Sequence, residues 1–273
     1  MSEALGTWID GIPGNAVPSD DRGLQYGDGL FETILVRAKR PRFLEAHLTR
    51  LCAGLDRLGI PFEALNALRT EIVGAAAIAP SLAILKIVVT RGSARRRGYA
   101  PSGDEQARRI VSLWPASLPD VEKGVDVRVA RLRVADTVSL AGIKHLNRLE
   151  NVLASAEEPG SAFESLLLDS NGNVVSGAMS NVFIVKSGAL VTPSVERAGV
   201  AGVMRGIVLR EAERLGIVAK IRVVSFAELL EADEVFITNA RIGVVPVRSV
   251  GEHAFGMNPI SLQLRGHIEA LDA

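Results

Sequence analysis

Two dipeptides, Asn171-Gly172 and Ser187-Gly188, each sit between short runs rich in branched and aromatic residues. Such pairs tolerate the positive φ that a tight hairpin turn demands, so the flanking runs pair antiparallel. This predicts strands over 165–169 and 174–175 about the first turn, and over 181–185 and 189–192 about the second. Successive hairpins do not fit an alternating, all-parallel sheet. With helical periods elsewhere in the chain, the expected class is α+β.

The rest of the chain follows the same punctuation. Asp10-Gly11 predicts a hairpin within 7–16, and strands over 30–36 and 42–44 flank a turn at 38–40. Leu48, Leu51, Leu55 and Leu58 mark a helix closed by Gly59, and a second helix over 62–79 stops at Pro80. Strands over 83–90 and 108–113 bracket a basic loop, 91–103. Pro115 and Pro119 make 114–119 the expected linker between domains 1–113 and 120–273. Further strands are expected over 124–131, 221–224, 234–238 and 243–247. Helices are expected over 203–215, 226–231 and 261–270.

One more helix is predicted over 140–154, where Ile143, Leu146, Leu149, Val152 and Leu153 recur at spacings of three and four. It places Lys144 at a helix entrance, where the dipole repels a cation. Positive surroundings and burial depress a lysine's pKa, which suits a Schiff-base nucleophile.

Composition narrows the function. Lys plus Arg and Asp plus Glu are 31 each, so no net field favours nucleic acid or an anionic membrane. The single cysteine, Cys52, forms no intrachain disulfide and is expected in the core. There is no apolar run of membrane-spanning length and no basic-then-apolar leader, so a soluble cytoplasmic protein is expected. The four histidines show no metal-ligand spacing, so no metal is expected.

Several segments resemble a known family. Residues 144–150 (KHLNRLE) are similar to the lysine segment of aminodeoxychorismate lyases, within the class IV aminotransferases. The resemblance runs from about Trp8 to Val247. It implies a two-domain fold like that of D-amino-acid aminotransferase, a homodimer, and pyridoxal 5'-phosphate bound covalently by Lys144, with the C-terminal domain carrying most of the cofactor site. It further implies phosphate contacts at Arg50 (in EAHLTRL), at Val203 and Met204 (in GVAGVMR), and at Thr238 or Asn239 (in FITN). Read alone, Arg50 is equally a solvated helix residue.

Where the family usually carries a glutamate against the pyridine nitrogen, this chain has Ser176, with Asn181 and Phe183 keeping the register. A serine hydroxyl hydrogen-bonds the nitrogen but does not hold a full charge on it. That favours an elimination driven by aromatisation over amino-group transfer, unless another acid stands in. The run 90–99 (TRGSARRRGY) is similar to the lyase pattern and makes Arg91, Arg97 and Tyr99 candidates for binding the dianion aminodeoxychorismate. Phe31 and Thr33, alternating on one strand face after Tyr26-Gly27-Asp28-Gly29, are candidate pocket residues. The competing readings are a branched-chain or D-amino-acid aminotransferase and a cofactor-binding protein without turnover.

Overall fold

The computed structural model describes residues 3–94, 98–158, 160–256 and 259–271. The chain forms two compact units, Met1–Leu118 with Ile143–Asn147, and Pro119–Gly142 with Arg148–Ala273. The expected linker therefore shrinks. Trp114 and Pro115 belong to a strand of the first unit, paired with Ile84 and Ala83. Residues 143–147 belong to the first unit although they lie within 120–273.

The first unit is a six-stranded sheet with helices against one face. Its strands are β1 (Gly6–Ile9), β2 (Ile12–Pro13), β3 (Gly29–Arg37), β4 (Arg40–Pro41), β5 (Leu82–Thr90) and β6 (Arg108–Pro115), ordered β2-β1-β6-β5-β3-β4. A short helix, α1 (Arg22–Tyr26), precedes β3. Its start is capped by the Asp21 carboxylate, which accepts from the Gly23 N–H at 2.8 Å. Helices α2 (Leu44–Leu58) and α3 (Leu65–Ala77) bury Leu48, Leu51, Leu55, Leu68 and Ile72. Strand alternation then divides β3: Leu30, Glu32, Ile34 and Val36 are buried, while Phe31 and Thr33 are half-buried on the other face. Cys52 is half-buried rather than in the core, and burial pushes its thiol pKa up.

The second unit holds β7 (Val125–Val134), α4 (Leu149–Ala156), β8 (Glu164–Asp169), β9 (Val174–Gly177), β10 (Asn181–Lys186) and β11 (Ala189–Pro193). It continues with α5 (Val203–Arg214), β12 (Ala219–Arg222), α6 (Phe226–Leu230), β13 (Glu234–Asn239), β14 (Gly243–Val250), β15 (His253–Ala254) and α7 (Pro259–Ala270). The strand order is β12-β11-β10-β13-β14-β7-β8-β9, with β15 on β14. Both predicted hairpins are present, β8–β9 and β10–β11. Phe183 and Phe236 are paired across β10 and β13 and stack with centroids 4.8 Å apart in the core. The architecture is α+β. Among the described residues, no helix is long and apolar enough to cross a membrane.

The helix predicted over 140–154 is half wrong. Helicity begins only at Leu149. Leu149 is 75% exposed, and Val152 and Leu153 are more than half exposed, so the apolar spacing does not mark an internal face. Tertiary pairing decides the earlier half: residues 143–147 form an extended strap beside β3, with Leu30 and His145 as an antiparallel bridge.

Candidate active site

Lys144 sits on this strap. Phe31 N–H donates to the Lys144 carbonyl at 3.0 Å, Leu146 N–H to the Gly29 carbonyl at 3.0 Å, and Asn147 Nδ2 to the Gly27 carbonyl at 3.1 Å. Gly29 permits the approach: a Cβ there would lie 2.4 Å from the Val89 carbonyl oxygen and 3.0 Å from Leu146 Cδ1. The glycine-punctuated run before β3 is thus the bed on which the lysine segment lies. Lys144 is not at a helix start, so no helix dipole acts on it as the periodicity implied. Its ammonium lies 4.1 Å from the Phe31 ring centroid, a cation–π contact. Lys86, paired with Thr33 across the sheet, brings its Nζ to 5.4 Å from the same ring. Phe31 and Thr33 share one face of β3, as the alternation predicted, and Lys144 meets that face at Phe31.

Arg50 projects from α2 to the buried face of β3. Its Nε donates to Glu32 Oε1 at 2.7 Å, and its Nη2 to Glu32 Oε2. Oε2 also lies 2.6 Å from His47 Nδ1. Burial pulls the Glu32 pKa up, but the His47 hydrogen bond and the charge and hydrogen bonds of Arg50 outweigh it and hold the carboxyl below its ordinary value. This arrangement links positions 15 and 18 residues apart. Its signal in the sequence was a glutamate alternating with Phe31 and Thr33, and a His-x-x-Arg spacing on a helix.

Arg91 is a correction to the substrate-binding expectation. It is 7% exposed and its guanidinium is spent internally. Nε and Nη2 donate to Asp28, while Nη1 and Nη2 donate to the carbonyls of Gly59 (2.7 Å) and Leu58 (2.8 Å) that end α2. A cation there also suits the negative end of the helix. Arg97 lies outside the described residues. Tyr99 is 85% exposed, with its ring 5.4 Å from Tyr26. Its backbone carbonyl accepts at 2.5 Å from Arg22, a buried residue of α1 that no sequence pattern singles out.

In the second unit, Val203 and Met204 are the first residues of α5. Gly202 caps the helix and no side chain closes that end, so the leading N–H groups and the dipole form an anion cradle. A Cβ at Gly202 would lie 2.0 Å from Asn181 Oδ1. Asn181 in turn donates to the Val200 carbonyl at 2.8 Å and holds the loop. Thr238 is fully buried and its hydroxyl donates to the Gly243 carbonyl at 2.7 Å. Asn239 donates to the Met179 carbonyl and accepts from the Arg241 and Ile242 N–H groups. Both side chains shape the β13–β14 turn, so the expected phosphate contact through them is not supported.

Ser176 is buried on β9, opposite Leu167 of β8. The nearest buried acid on these strands is Glu164. It accepts from Ser180 Oγ at 2.8 Å, Met179 N–H at 3.1 Å and Ser165 N–H at 2.9 Å. A Cβ at Gly177 would lie 2.8 Å from its Oε2, so Glu164 occupies the Gly177 side of β9. Ser176 points the other way by strand alternation. Glu164 and Ser176 therefore lie on opposite sides of β9.

A family model described as amino-transferase class IV matches residues 29–250. The aminodeoxychorismate lyase of Vibrio harveyi is 34% identical over 96% of this chain and 98% of its own. The crystal structure of 4-amino-4-deoxychorismate lyase from Pseudomonas aeruginosa superposes with TM-score 0.91 at 44% identity, covering 97% of this chain and 98% of that one. A branched-chain amino acid aminotransferase from T.th., complexed with N-(5'-phosphopyridoxyl)-L-glutamate, matches with TM-score 0.85 at 25% identity, over 98% of this chain and 94% of that one.

Proposed function

Because this chain belongs to the class IV aminotransferase family, we propose that it is a pyridoxal-phosphate-dependent lyase that converts 4-amino-4-deoxychorismate into p-aminobenzoate and pyruvate, a step toward folate. The observation that carries the reading is the Lys144 amine held 4.1 Å from the Phe31 centroid on a strap pinned to β3.

The side chains fit the cofactor. Lys144 supplies the amine that joins its aldehyde. Arg50 and, taken separately, the uncapped start of α5 are each of a kind that suits an anionic group such as a phosphate. Bound pyridoxal phosphate supplies an electron-withdrawing ring that acidifies the C–H next to the substrate nitrogen. Lys144 Nζ then moves the proton: it takes it from the ring carbon bearing nitrogen and delivers one to the departing three-carbon enol. Loss of that enol leaves an aromatic ring, which drives the step forward. Ser176 hydrogen-bonds the pyridine nitrogen without fixing a charge on it, and Glu164, on the opposite side of β9, does not supply one. This suits an elimination more than an amino transfer. Phe31 and Thr33 line the substrate side, with Tyr99 and Arg97 as candidate carboxylate contacts.

A homodimer is part of the same reading, supported by the apolar face that α4 leaves open at Leu149, Val152 and Leu153. So is a cytoplasmic location. The test is to incubate pure protein with aminodeoxychorismate and measure p-aminobenzoate and pyruvate, beside an amino-acid plus keto-acid control. Both products in equal amounts are expected. Amino transfer in the control with no p-aminobenzoate overturns the reading in favour of an aminotransferase.

A further inference from the structure

We propose that Glu32 and His47 are positioning residues for the arginine that binds the cofactor phosphate, making this unit select a phosphorylated aldehyde over its unphosphorylated form. The inference rests on the assignment of Arg50 to the phosphate.

Glu32 is 2% exposed and His47 1% exposed, both between β3 and α2. Two N–H groups along one edge of the Arg50 guanidinium meet the two oxygens of one carboxylate. A fork of this kind fixes the guanidinium plane. The carboxylate is fixed in turn by His47 Nδ1 at 2.6 Å. The other ring nitrogen, Nε2, is buried with no hydrogen-bond partner. A proton there would leave a buried donor unsatisfied, so the imidazole is neutral and carries its proton on Nδ1, donating to Glu32. Burial, which lowers the His47 pKa, acts in the same direction.

The charges make orientation the only gain. With His47 neutral, Glu32 cancels the cation it holds, and its own charge repels a phosphate. A carboxylate kept at this position helps an anion bind only by presenting Arg50 in one pose. Lys144 meets Phe31 on the other face of β3, yet its charge still reaches His47 and helps lower the imidazole pKa, so the comparison of phosphorylated and unphosphorylated ligands is what separates an effect at the phosphate from one at the amine.

The experiment measures dissociation constants of cofactor-free protein for pyridoxal phosphate and for pyridoxal, by the absorbance change on binding. Glu32→Gln is expected to weaken pyridoxal phosphate about tenfold and to leave pyridoxal within about twofold. His47→Leu gives the same selective loss. His47→Asn, whose amide N–H replaces Nδ1, restores most of it. If Glu32→Gln fails to fold, Glu32→Asp, which keeps the charge but shortens the reach, is expected to show the selective loss. Equal weakening of both ligands, no change, or tighter pyridoxal phosphate binding overturns the inference. Arg50→Met separates the two levels. If it keeps the preference for the phosphorylated form, the phosphate assignment falls and this inference with it. If it loses the preference while the Glu32 and His47 variants keep it, only the inference falls.

Discussion

Glu32 and Glu164 are both strand glutamates within 5% of complete burial, one in each unit, and their ionisation is pushed in opposite directions. Burial raises both pKa values. At Glu32, His47 and Arg50 overcome it and the carboxyl ends below its ordinary 4.5. At Glu164 the partners are the Ser180 hydroxyl and the N–H groups of Ser165 and Met179, burial prevails, and the carboxyl ends above 4.5. Glu32 is answered by charged side chains and Glu164 by dipoles. Glu32 is therefore sensitive to removing a neighbouring charge, and Glu164 to disturbing the backbone around it.

The largest test of that contrast is at Lys144. Lys144→Ala is expected to lower turnover at least about 1000-fold. It also abolishes the borohydride-trapped adduct of pyridoxal phosphate at this residue. An adduct of full yield in the variant would move the reactive amine elsewhere. Next is Gly202→Ala, which changes no charge. Its Cβ falls 2.0 Å from Asn181 Oδ1, so it is expected to cost about 1–3 kcal/mol in denaturant unfolding and to weaken cofactor binding. A silent substitution would mean that the start of α5 tolerates displacement and is no cradle.

Ser176→Glu puts a charge at a buried position of β9. Amino transfer is expected to rise relative to elimination on the order of tenfold, read from the two half-reactions. An unchanged ratio removes Ser176 from the account of specificity.

The smallest effect is a slope. Glu164, with a raised folded pKa, contributes stability that is fully present below 4.5 and is lost as pH rises through the folded value. Glu32, with a lowered one, contributes stability present above 4.5 and lost as pH falls through its folded value. Comparing unfolding midpoints from pH 5 to pH 8, wild type is expected to lose stability relative to Glu164→Gln. A relative gain contradicts the contrast.

Most of the second unit was legible because its signals are local. Asn171-Gly172, Ser187-Gly188 and the glycine before Val203 each act within a few residues, and the predicted turns and helix start are where they point. The first unit hid more because its logic is long-range. Ile143 and Leu146 carry helical spacing, yet Ile143 is buried and Leu146 lies against Gly29, and a strand more than a hundred residues earlier captures them. Arg91 sits in a run of arginines and reads as one of a set, but Asp28 and the end of α2 take it out of use. Nothing local distinguishes it from Arg97. Glu32, His47 and Arg50 carried their types in the sequence but not their meeting.

The strap has a consequence for how the protein is made. Ribosomal synthesis delivers β3 and β5 well before residue 144, so the platform waits for its amine. A product truncated near residue 118 has the platform and no Lys144, while a fragment beginning at 119 has Lys144 and nowhere to seat it. The Lys144 amine is thereby seated only once one polypeptide has been translated past its midpoint.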